Sequence, residues 1–76
     1  MTSSVWILEL HIEERSPNSL IMKREFRHLP ALRLAIMENR GRRSVILPPQ
    51  SMTAGDRTAL LDMRADGFDI EIKQLT

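Results

Sequence analysis

Between Trp6 and Phe26 the chain alternates apolar and polar side chains on both sides of a turn signal, and this pattern leaves few folds open. Successive strand side chains point to opposite faces of a sheet, so period-2 spacing marks half-buried strands. In the first run Trp6, Leu8, Leu10 and Ile12 share one face. Val5, Ile7, Glu9, His11 and Glu13 share the other, which starts apolar and turns polar. In the second run Leu20, Met22 and Phe26 share a face interrupted by Arg24, with Ile21, Lys23, Glu25 and Arg27 opposite. Pro17 and Asn18 between the runs supply turn conformations that most residues avoid. The pattern predicts a β-hairpin over 4–27.

Charge suggests its register. A three-residue loop at 17–19 sets Glu13 opposite Lys23, His11 opposite Glu25 and Glu9 opposite Arg27. A five-residue loop faces His11 with Lys23 and Glu9 with Glu25. Opposed unlike charges contribute roughly 0.2–1 kcal/mol per pair and like charges cost a similar amount, which favours the shorter loop.

Downstream, Pro30 stands where a first helical turn tolerates proline and Gly41 where helices commonly end, predicting a helix over 30–40. Leu29, Leu32, Ala35 and Ile36 form its inner stripe, and Leu34 and Met37 fall on the opposite side. Ser44-Val45-Ile46-Leu47, halted by Pro48-Pro49, reads as a buried strand over 44–47. Thr53 with Asp56 three residues later is a relative of the capping box and opens a helix over 54–66, with Ala59, Leu60 and Met63 inside and Leu61 at the margin. Gly67 closes it. The alternation of Phe68, Ile70 and Ile72 with Asp69, Glu71 and Lys73 predicts a last strand over 68–74.

The order ββαβαβ implies an α/β (α+β) two-layer sandwich. Short right-handed crossovers place both helices on one face of a four-stranded mixed sheet, in which only the first strand runs against the others. Both spatial orders 1-2-3-4 and 2-1-3-4 satisfy this. Val5 and Ile7, apolar on the outer face of the first strand, favour the second.

Seventy-six residues make one domain, and a core of this size rarely supplies more than ~3–5 kcal/mol. There is no cysteine to staple it, which excludes disulfides and thiolate metal sites and fits a reducing, cytoplasmic setting. No secretory signal or span of about 20 apolar residues is present, so no membrane partner is expected. The histidines offer no metal spacing or triad; His11 is expected to answer Glu25, and His28 lies at a strand–helix junction. No carboxylate pair, nucleophile motif or glycine-rich phosphate loop appears. The chain is therefore expected not to be an enzyme and to hold no cofactor or metal. Residues 50–56, at a helix N-terminus, suit a small anion, although capping explains Thr53 more simply.

The charge is uneven. Residues 23–43 carry seven basic side chains against two acidic ones, net +5, whereas the whole chain is only +1. Lys23, Arg27, Arg33, Arg40, Arg42 and Arg43 make this the clearest surface signal, and arginine suits both phosphate and carboxylate. Leu34 and Met37 beside Arg33 and Glu38 add apolar contact area of the kind found in interfaces. These eight residues are the candidate partner-binding set. The reading is a non-enzymatic protein-binding module, a regulator, inhibitor or adaptor whose partner has an acidic surface. Its size and character also suit a phage or mobile-element accessory protein. The alternative is a nucleic-acid-associated protein using the 23–43 surface, and homodimerisation would offset the small core. The hairpin's uncovered odd face and its free edge are further candidate contact surfaces.

Overall fold

The computed structural model describes residues 5–12 and 20–73. In chain order the elements are β1 (Trp6–His11), β2 (Leu20–Phe26), α1 (Leu29–Glu38), β3 (Arg43–Leu47), α2 (Ala54–Ala65) and β4 (Ile70–Ile72). They form the expected two-layer α+β architecture, with sheet order β2-β1-β3-β4. β1 runs antiparallel to both β2 and β3, and β3 and β4 are parallel. The apolar β1 is thus interior, as Ile7 on its outer face suggested.

The register differs from the charge-based expectation. Trp6 stands opposite Phe26, Glu9 opposite Lys23 and Leu10 opposite Met22, with an irregularity between Leu10 and His11. This pairing sets Trp6 against Phe26 and Leu10 against Met22, whereas the charge-favoured register sets only Leu10 against Phe26 on that face, and it still places one carboxylate against one ammonium. Each large side chain buried is worth about 1.5–3 kcal/mol, against at most ~1 kcal/mol for a cross-strand charge pair. Apolar overlap therefore wins. Glu13 and the proposed loop at 17–19 lie outside the described residues.

Two further expectations change with the register. His11 does not face Glu25; it lies opposite Leu20 on one side and Arg43 on the other, with its ring Nε2 3.3 Å from a Glu9 carboxylate oxygen. Ile12 is not core, being 67% exposed beyond the end of β1. There the chain has passed the irregularity and the last paired residue of β1, His11.

The core lies between sheet and helices. Trp6, Leu8 and Leu10 of β1, Ile46 of β3 and Ile70 of β4 pack against Leu32, Ala35 and Ile36 of α1 and Leu60 and Met63 of α2. Met22, Phe26, Leu29 and Phe68 close its margins. α1 stops at Glu38 rather than 40, because the Asn39 side chain donates to the Ala35 carbonyl and its backbone N–H bonds back to Ile36. β4 begins at Ile70, two residues late, since Phe68 is bonded back to Met63 at the helix end. Gly41 (φ 94°) and Gly67 (φ 104°) adopt the left-handed backbone that turns each helix toward its strand at no steric cost. At α2 the capping box is complete: Asp56 N–H donates to Thr53 Oγ1, and Thr53 N–H to the Asp56 carboxylate.

Candidate interaction surface

With both helices on one side, alternation presents a second, different face. Ile7, Glu9 and His11 of β1, Lys23 and Glu25 of β2, Arg43, Val45 and Leu47 of β3 and Glu71 of β4 share it by register. None of the described helices packs there. Ile7 and Leu47 are paired neighbours toward one end of it and remain half-buried, while Val45, two residues before Leu47, is only 4% exposed. Glu9 and Glu71 stand level with Val45 on the flanking strands. Arg43 is ion-paired with Glu71. The result is a small apolar patch bordered by charges of both signs.

The eight residues singled out in the sequence do not form one patch. Lys23 and Arg43 belong to the helix-free face, on strands separated by β1. Arg33 turns the other way, half-buried, with its Nε 3.5 Å from Met63 Sδ across the helix pair. Arg40 folds over the Phe68 ring at 4.7 Å and donates to the Asp66 carbonyl at 3.4 Å, tying the end of α1 to the end of α2. Two of the arginines thus act inside the fold. Arg42 is exposed before β3, and Arg27 is exposed at the opposite end of the sheet after β2. Leu34 and Met37, 53% and 48% exposed, lie on the outer side of α1.

Sequence reasoning passed over a second set of arginines. Arg57, Leu61 and Arg64 repeat at helical spacing along one flank of α2, in the part of the chain after residue 43 that is net acidic, so the stripe is easily missed. In space they join Arg43 and residues 69–72 around a groove of about 260 Å³ beside β4.

Among the described residues no three histidine or carboxylate side chains are grouped to hold a metal ion, and no helix is long and apolar enough to cross a membrane. At residues 50–56, Asp56 occupies the N-terminus of α2 with its own carboxylate, so an anion there would meet a negative charge. No family model, curated protein or solved structure matches this chain.

Proposed function

We propose that this chain is a non-enzymatic protein-binding module that acts as a regulator, inhibitor or adaptor through surface complementarity. The observation that supports this reading is the helix-free face of the sheet, where Ile7, Val45 and Leu47 form an apolar patch bordered by unlike charges. Protein interfaces likewise combine desolvated apolar area with polar surroundings.

The nucleic-acid alternative draws less support. Single-stranded nucleic acid is held by exposed aromatic platforms and cationic grooves. Trp6, Phe26 and Phe68 all pack against the core on the helix side. Glu9, Glu25 and Glu71 on the helix-free face would repel phosphate.

The test is capture from a lysate, with and without nuclease, comparing the wild-type chain with the double variant Ile7→Lys, Leu47→Glu. These residues are directly paired, so the new charges complement each other across the strands and the sheet is kept while the apolar patch is removed. Nuclease-resistant capture that is lost in the variant supports the module. Capture that disappears on nuclease treatment overturns it, and nuclease-resistant capture that survives the variant overturns the assignment of binding to the helix-free face.

A further inference from the structure

The groove beside β4 has a floor, a wall and charges of both signs, with Arg57 and Arg64 on the wall and Asp69 and Glu71 on the strand side. Its floor is an open strand edge, because among the described residues β4 pairs with β3 alone, at the end of the sheet. The Ser44 N–H reaches the Asp69 carbonyl and the Lys73 N–H reaches the Ile46 carbonyl. In a parallel ladder this phase directs the backbone groups of Glu71 inward and those of Ile70 and Ile72 toward the open side. The wall is the flank of α2 bearing Arg57, Leu61 and Arg64, all exposed. Neither Arg57 nor Arg64 is ion-paired among the described residues, whereas the nearby Arg43 already holds Glu71.

We infer that this edge binds an extended acidic segment of a partner protein, which adds as a fifth strand beside β4 with its carboxylates under Arg57 and Arg64. The spacing selects a pattern. Arg57 and Arg64 are about 10.5 Å apart along the helix, with Leu61 between them. Same-face residues i and i+4 of a strand are about 13 Å apart, and long arginine side chains take up the difference. The favoured segment is acidic–x–apolar–x–acidic, with the apolar residue against Leu61. A second copy of this chain is a poorer occupant. Two-fold pairing of β4 with β4 would set each Arg57 level with the other copy's Arg64, four guanidiniums facing across the axis. The other sheet edge is also poorer: β2 presents Lys23, Arg24 and Glu25, all exposed, which blunts it against strand addition.

This inference rests on the reading of the chain as a protein-binding module but uses a surface that shares only Arg43 and Glu71 with the helix-free face. The test is fluorescence anisotropy of a short labelled peptide carrying the acidic–x–Val–x–acidic pattern against the full chain. A scrambled peptide of the same composition, and one N-methylated at alternate residues so that it cannot donate to a strand edge, serve as comparisons. Binding is expected to weaken roughly tenfold or more in both comparison peptides and in the Arg57→Glu, Arg64→Glu variant. A peptide with lysine in place of its acids should recover binding to that variant. Equal binding of the N-methylated peptide, or of the acidic peptide to the charge-reversed variant, overturns the inference. So does a concentration-dependent dimer of the chain that excludes the peptide. The Ile7→Lys, Leu47→Glu variant should bind the peptide as the wild type does. If lysate capture depends on Ile7 and Leu47 while no peptide binds, this inference fails and the module reading stands.

Discussion

The two faces of this sheet are built from the same strands, one residue out of phase, and their chemistry differs sharply. On the helix side Leu8 and Ile46 are fully buried and touch both helices' apolar stripes through one continuous core. On the other side their immediate neighbours, Glu9 and Leu47, are half-exposed, and Val45 is the one buried side chain among the described strand residues of that face. The helix face tolerates one cation, Arg24 on the outer strand, whose guanidinium lies 5.2 Å from the Phe26 ring centre. The lesson is that one face carries stability and the other is available for recognition. Substitutions of adjacent residues should separate the two roles.

The largest contrast is expected at Leu8 and Glu9. Leu8→Ala leaves a cavity in the core and should cost about 2–5 kcal/mol, most of the stability of so small a domain, read as a collapse of the urea midpoint. Glu9→Ala, one residue on, should move the midpoint far less. Ile46→Ala against Leu47→Ala repeats the comparison on β3. If Leu47→Ala proves as damaging as Ile46→Ala, the helix-free face is part of the stabilising core and the division fails.

Next in size is the helix cap that lies outside the sheet. Thr53→Ala removes one arm of the capping box and should cost about 1 kcal/mol, visible as a lower thermal midpoint with the sheet unchanged. A smaller effect belongs to the bordering charges. Lys23→Glu puts a carboxylate opposite Glu9 and should destabilise by roughly 0.2–1 kcal/mol, with the loss reduced at high salt. Smallest of all is Leu34→Asp on the outer side of α1, expected to leave the denaturation curve in place. If it also leaves partner capture intact, the second apolar patch of that helix is merely exposed.

Element types and order were legible because they depend on local rules. Alternation announced β1 and β2, Pro30 and Gly41 bracketed α1, and Thr53 with Asp56 opened α2. The register escaped because opposed charges are read easily along a sequence, whereas apolar overlap between Trp6, Leu10, Met22 and Phe26 is realised only when the strands are laid together. The arginines misled for a related reason. Nearness along the chain put Arg33, Arg40, Arg42 and Arg43 in one cluster, but helix phase and strand alternation send their side chains to different sides.

By itself, then, the sequence determined the six elements, the helical stripes and the identity of most core residues, since turn chemistry and periodicity act within a few residues. Tertiary structure alone decided the strand register and the dispersal of the basic cluster. It also decided that Arg57 and Arg64, far from Arg43 in the chain, meet it beside the open edge of β4. Those outcomes depend on long-range packing, in which burying apolar area outweighs any single charge pair and residues distant in sequence become neighbours.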